Sequence, residues 1–121
     1  MSETTEAPAF LRGIADEVTS AIRDQRNSDV RRHFSLIMRV AVSEKKMRKV
    51  WDDVVQMYGA PLDAKHLREK RRGRFWVFDR FIDFENGRTL LSITLNKRGR
   101  IYGLFLIPVT VPGEAPSPDI S

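Results

Sequence analysis

The stretch DFENGRTLLSITLNKRGRIYGLFLIP, residues 83–108, decides the fold. Apolar and polar residues alternate on both sides of Asn86-Gly87, a dipeptide suited to the two positive backbone φ angles of a tight hairpin turn. The spacing therefore predicts strands over 75–85 and 88–95. Pairing Glu85 with Arg88 sets Phe78 opposite Leu95, Arg80 opposite Ile93 and Ile82 opposite Leu91, all on one face. A second turn follows at Lys97-Arg98-Gly99, with glycine in the left-handed position of a three-residue loop. It pairs Leu95 with Ile101, Ile93 with Gly103 and Leu91 with Phe105, so the two turns agree on a single apolar face. Working backwards, Arg72-Gly73 makes 64–71 a first, less apolar strand with Leu67 beside Phe78 on the inner side.

Upstream of Pro61 the period is helical. Phe10, Leu11, Ile14, Val18, Ala21 and Ile22 follow Pro8 at helix spacing and predict a helix over 8–25. Asn27 and Ser28 stop it and cap a second helix, in which Val30, Phe34, Ile37, Met38 and Ala41 share a face. Ser43 caps a third, bearing Met47, Val50, Trp51, Val54, Val55 and Tyr58, which Gly59 and Pro61 close. Helices followed by an antiparallel meander give an α+β fold, N-terminal helices packed on a curved four-stranded sheet.

Composition narrows the function classes. A chain of 121 residues suits one domain, taken as 8–109, with tails 1–7 and 110–121 expected to be disordered from their polar, Pro- and Ser-containing character. There is no Cys and there are two His, which excludes thiolate metal sites and a His-only zinc site; no cofactor or metal is expected. MSETTEAPAF has no basic run leading into an apolar one, and no stretch has the length of a membrane span, so the expectation is a soluble, cytoplasmic protein. Residues 1–64 balance ten basic against ten acidic groups, whereas 65–100 hold eleven against four; the net +5 resides in the second half. The run AKHLREKRRGRFWVFDR, residues 64–80, concentrates that excess beside aromatics. Its similarity to an RNA-recognition signature breaks down, because Arg74 stands where an aromatic is needed and the register turns Trp76 and Phe78 inward. Lys65, Arg68, Lys70 and Arg72 therefore read first as a solvated edge that opposes aggregation, and second as an anion contact.

The run 83–108, together with VSEKKMRKVWDDVVQMYGA at 42–60, resembles a small bacterial domain of unknown function in the nuclear transport factor 2-like (SnoaL-like, cystatin-like) superfamily. The residues that carry the likeness are Ser43, Trp51, Gly59, Phe84, Glu85, Gly87, Gly99, Ile101, Gly103, Leu104, Phe105 and Pro108. The resemblance implies a cone with a pocket between helices and sheet, used by relatives for cyclase, dehydratase or isomerase chemistry or for binding alone. It carries no catalytic residues to this chain.

Within such a pocket Arg80 is the foremost candidate, since the register sets a charge among Phe78, Ile82, Ile93 and Leu95 beside the space left by Gly103. It reads either as a structural ion pair with a helix carboxylate such as Asp16 or Asp53, or as a fork for the carboxylate of an apolar ligand. His33, Tyr58, Trp76 and Ile93 are further wall candidates. Asp79 and Asp83 face outward and read as cross-strand partners of Arg or Lys rather than as an acid–base pair. The outer face also carries Val77, Phe81, Leu90, Tyr102, Leu104 and Leu106, an apolar surface that predicts a homodimer. Three functions stand in order: a non-catalytic binding module for a small apolar ligand or a protein partner, a small pocket enzyme of the cyclase, dehydratase or isomerase kind, and a basic nucleic-acid binder through 65–74. Neither nucleic acid nor a membrane is the expected partner.

Overall fold

Helix α1 (Ala9–Arg23) forms because Leu11, Ala15, Val18 and Ile22 recur every three or four residues, and all four are buried. Buried Thr19 returns its hydroxyl to the Ala15 carbonyl at 2.7 Å, so no polar group is stranded on that face. Gln25 ends the turn in the left-handed region (φ 60°), held by its own Nε2 donating to the Ile22 carbonyl. The computed structural model describes residues 6–109, and α2 (Asn27–Arg31), α3 (Leu36–Ala41) and α4 (Glu44–Tyr58) follow. Ser43 Oγ accepts from the Lys46 amide to cap α4, and Gly59, with φ +90°, closes it. Among the described residues no helix is long and apolar enough to cross a membrane.

Strands β1 (Pro61–Arg72), β2 (Phe75–Phe84), β3 (Gly87–Leu95) and β4 (Ile101–Pro108) form one antiparallel meander in chain order. The architecture is α+β, with N-terminal helices on one face of a curved, open four-stranded sheet. Phe78, Ile82, Leu91, Ile93, Leu95 and Ile101 from the inner face are fully buried and meet the stripe of α1.

Four expectations are corrected. First, the β2–β3 turn is Glu85-Asn86, with Phe84 opposite Gly87, so Phe78 faces Ile93 and Arg80 faces Leu91. The slip is two residues and keeps every side chain on its predicted face. The cause is tertiary: Glu85 N donates to the Ala60 carbonyl, Asn86 N to that of Tyr58, and the Tyr58 ring lies so close over Gly87 that a Cβ there would collide with it. Second, β4 carries a bulge. Leu95 pairs with Ile101 as expected, but Thr94 pairs with Gly103, which leaves Tyr102 as the extra residue. Ile101 spends both backbone groups on the segment 33–35, donating to the His33 carbonyl and accepting from the Ser35 amide, so the ladder to β3 resumes late. Beyond the bulge the faces exchange. Leu104 and Leu106 point inward, whereas Gly103 and Phe105 point outward, the reverse of the sequence expectation.

Third, the predicted second helix is two helices, because Phe34 bridges to Ile101 and Ser35 caps a new start at α3 through Met38 N. Val30, Phe34 and Met38 are buried as expected, but Ile37 is 70 % exposed and Ala41 is also outside. Fourth, β1 slips between His66 and Arg68, which leaves Leu67 unpaired and sets Glu69, not Leu67, opposite Phe78. Of the N-terminal tail, Ala7 is packed: its amide donates to Glu69 Oε2 at 2.6 Å and its side chain is buried. Residues 1–5 and 110–121, the rest of the expected tails, lie outside the described residues.

Candidate functional site: a cleft between α4 and β4

The two halves of α4 meet different things. Its C-terminal half seats on the end of β2, where Phe84 lies 5.4 Å from the Trp51 ring and 6.3 Å from the Tyr58 ring. Its N-terminal half, with Met47 and Val50, faces Leu104 and Leu106, the side chains that the bulge turned inward. Between them opens a cleft of about 320 Å³ with Leu91 and Trp51 in its wall. Without the bulge, Gly103 and Phe105 would take those inner positions instead.

Polar groups meet this apolar wall at three places, Gln25, Asn27 and Lys46. Asn27 is only 5 % exposed, lines the cleft, and makes no side-chain hydrogen bond among the described residues. Its carboxamide is not sealed, since among the described residues the side-chain polar atom buried without a partner is His33 Nε2. Lys46 is exposed, with no carboxylate within ion-pair distance among the described residues. Gln25 adds its left-handed backbone, a conformation that costs a non-glycine residue about 1–3 kcal/mol.

The six residues predicted to form a pocket do not line this cleft. Arg80 is on the inner face as expected, 3 % exposed at its side chain, but it is fully engaged: Nη2 donates to Asp16 Oδ1 at 2.9 Å and Nη1 lies 2.6 Å from His66 Nδ1. Of its two readings the ion pair with Asp16 is the one observed, and Asp53 instead pairs with Lys49. Ile93 and Trp76 pack into the core, Tyr58 covers Gly87, and Gly103 stands on the outer face against Thr94. His33 is held near Glu17, its buried Nε2 at 3.5 Å from Glu17 Oε2 and without a hydrogen bond. The six are dispersed over the inner face of the sheet (Trp76, Arg80, Ile93), its outer face (Gly103), the end of α4 (Tyr58) and the segment after α2 (His33).

On the outer face the basic strand is divided. Arg68 donates to Asp79 at 2.9 Å, and Lys65 shares Asp83 with Arg88. Hydrogen bonding from Arg88, reinforced by Lys65, holds the Asp83 carboxyl below the usual carboxylate range despite partial burial. Asp79 and Asp83 are thus cross-strand partners, as expected. Lys70 and Arg72 have no carboxylate partner among the described residues and flank a shallow concavity of about 470 Å³ floored by Val77 and Leu90. Of the expected dimer face, Phe81, Leu90 and Tyr102 do face outward, the Tyr102 ring tilted against that of Phe75 with centroids 5.4 Å apart, whereas Leu104 and Leu106 do not belong to it.

Of the residues lining this cleft, sequence reasoning singled out neither Asn27 nor Lys46 as a site candidate and assigned Leu104 and Leu106 to the outer face. No local signal marks the last two, since the bulge at Tyr102 that turns them inward follows from the pairing of Ile101 with residues 33–35. Nothing local marks Asn27, which reads as a helix-capping residue and is not one: α2 has Arg26 at its N-cap. Comparison with protein-family models, curated proteins and solved structures finds no match for this chain.

Proposed function

We propose that the chain is a non-catalytic binding module that takes a small apolar ligand in the cleft between α4 and β4. The observation that carries this reading is the wall itself: Met47, Val50, Trp51, Leu91, Leu104 and Leu106 line a half-open cleft of about 320 Å³, at the lower end of small-molecule sites. Binding is favoured over catalysis by what the wall lacks. Among the described residues lining the cleft, Lys46 is the titratable one, and general acid–base chemistry needs a carboxylate, His or comparable partner within reach of it. The hollow between helices and sheet that the family resemblance implies is in agreement.

A neutral probe tests it. N-phenyl-1-naphthylamine should brighten and shift to the blue on adding the full chain, and Leu104→Trp, which fills the cleft from a half-buried position, should abolish that signal. Met47→Trp fills the same space from the opposite wall and serves as the independent variant. A wild-type chain that leaves the probe dim, or two filled variants that bind it as well as wild type, would overturn the reading.

A further inference from the structure

We infer that the ligand of this cleft is an amphiphile with a carboxylate-type head, its apolar chain against Trp51, Leu91 and Leu104 and its head meeting Asn27 Nδ2 and Lys46 Nζ. The inference rests on the binding reading above and adds the chemistry of the ligand. Its first support is Asn27. Asn27 is 5 % exposed as a residue, lines an otherwise apolar wall and makes no side-chain hydrogen bond among the described residues, so its carboxamide is free to meet a ligand head. Its second is Lys46, a cation at the same cleft without a carboxylate partner among the described residues.

Together the two groups select a head. A carboxylate accepts from both, and the hydrogen bond to an ammonium is the stronger, charge-assisted kind. An alcohol can satisfy Asn27 but gains little from Lys46, and a quaternary ammonium is repelled by it. A phosphate dianion generally calls for a guanidinium fork or several donors, and no Arg lines the cleft. Size follows from volume. At roughly 30 Å³ for a water-sized group, a cleft of about 320 Å³ holds about ten such groups, the bulk of a medium-chain carboxylate.

Calorimetric titration of the 121-residue chain with decanoate, decan-1-ol and decyltrimethylammonium, each below its micellar concentration, is the test. Decanoate should bind at least about tenfold more tightly than decanol, as expected for one charge-assisted hydrogen bond, and the ammonium should bind weakest. Lys46→Met should collapse the preference for decanoate over decanol, and Asn27→Ala should weaken decanoate severalfold with the far-UV spectrum unchanged. Equal binding of decanoate and decanol, with Lys46→Met keeping that ratio, would overturn the head while leaving the apolar cleft standing. Silence from all three ligands would overturn both readings, and tightest binding of the ammonium would overturn the inference alone.

Discussion

The end of the sheet under α1 and the end under α4 are built from the same strands but are closed to different degrees. Under α1, Arg80 has Asp16 and His66, Thr19 has a carbonyl, and Glu69 takes bonds from both Arg12 and the Ala7 amide. Under α4, Asn27 is left unpaired beside an open apolar wall. An unfilled apolar cleft costs free energy that a sealed core does not, whereas the side-chain polar atom buried without a hydrogen bond among the described residues, His33 Nε2, lies at the α1 end beside Glu17. The unequal closure is what supports the proposal that the α4 end is the site.

The sharpest way to break that comparison uses two residues that face each other across one ladder. Ile93, sealed in the core, and Leu104, at the cleft wall, are directly opposed on β3 and β4. Ile93→Ala should cost about 3 kcal/mol, because the cavity it leaves cannot refill. Leu104→Ala should cost about 1 kcal/mol, since it only enlarges a space already open. Equal losses in denaturant titration would mean the cleft is closed in solution.

Next in size is the turn that fixes the β2–β3 register. Gly87→Ala drives a methyl into the Tyr58 ring and should cost about 2 kcal/mol, within the range of overpacking. Tyr58→Ala in the same chain should relieve part of that loss. A purely additive double variant would show that turn chemistry, rather than the close approach of Tyr58, sets the register.

The Arg80 pair sharpens the comparison from the scaffold side, for its burial is one-sided: the Arg80 side chain is 3 % exposed and that of Asp16 is 67 % exposed. Asp16→Ala leaves a buried guanidinium with one partner fewer and should cost about 1–2 kcal/mol, reduced from the value for a fully buried pair by the access of water. Arg80→Met removes the buried charge and exposes only a solvated carboxylate, so its melting temperature should stay close to wild type. The reverse order would place the stabilising role on Arg80 itself.

The smallest effect is a pH dependence. Hydrogen bonding by Arg12 holds the Glu69 carboxyl below its ordinary range, with burial opposing and the Ala7 amide adding to the effect. A carboxyl depressed in the folded state contributes stability that is complete above its unfolded value of about 4.3 and is lost as pH falls through the lower folded value. Wild type should therefore lose more melting temperature between pH 5 and pH 3, on the order of that window, than Glu69→Gln, which has no such proton to bind. Asp83, depressed by Arg88, contributes to the same acid loss in both proteins and leaves the difference between them to Glu69.

Most of the architecture was legible in local pattern. The α1 and α4 stripes, the Ser43 cap and the Gly59 stop follow from residue spacing and end chemistry and are where those rules set them, and so is the order of the meander, although its first two turns fall at Gly73-Arg74 and Glu85-Asn86 instead of Arg72-Gly73 and Asn86-Gly87. The site was not legible, for a reason of parity. A two-residue slip at Glu85-Asn86 changes no face, whereas a one-residue bulge at Tyr102 exchanges every side chain beyond it, and it is the bulge that delivers Leu104 and Leu106 to the cleft. Its cause is the pairing of Ile101 with residues 33–35, a contact across more than sixty residues of chain that no window of sequence contains. Arg80 was partly legible: a charge on an apolar face and a helix carboxylate such as Asp16 or Asp53 as its partner were both readable, but the choice of Asp16, and with it the choice of structure over site, depends on how another element packs.

The most direct test of the central claim, that the α4–β4 end is the site, is a ¹H–¹⁵N correlation titration of the full chain with monomeric decanoate. The account predicts that the Asn27 side-chain amide pair and the backbone amides of Met47, Leu104 and Leu106 shift together and saturate with one affinity, while the amides around Arg80 and Asp16 stay still. Shifts confined to Lys70, Val77 and Leu90 on the outer face, or none anywhere, would contradict it.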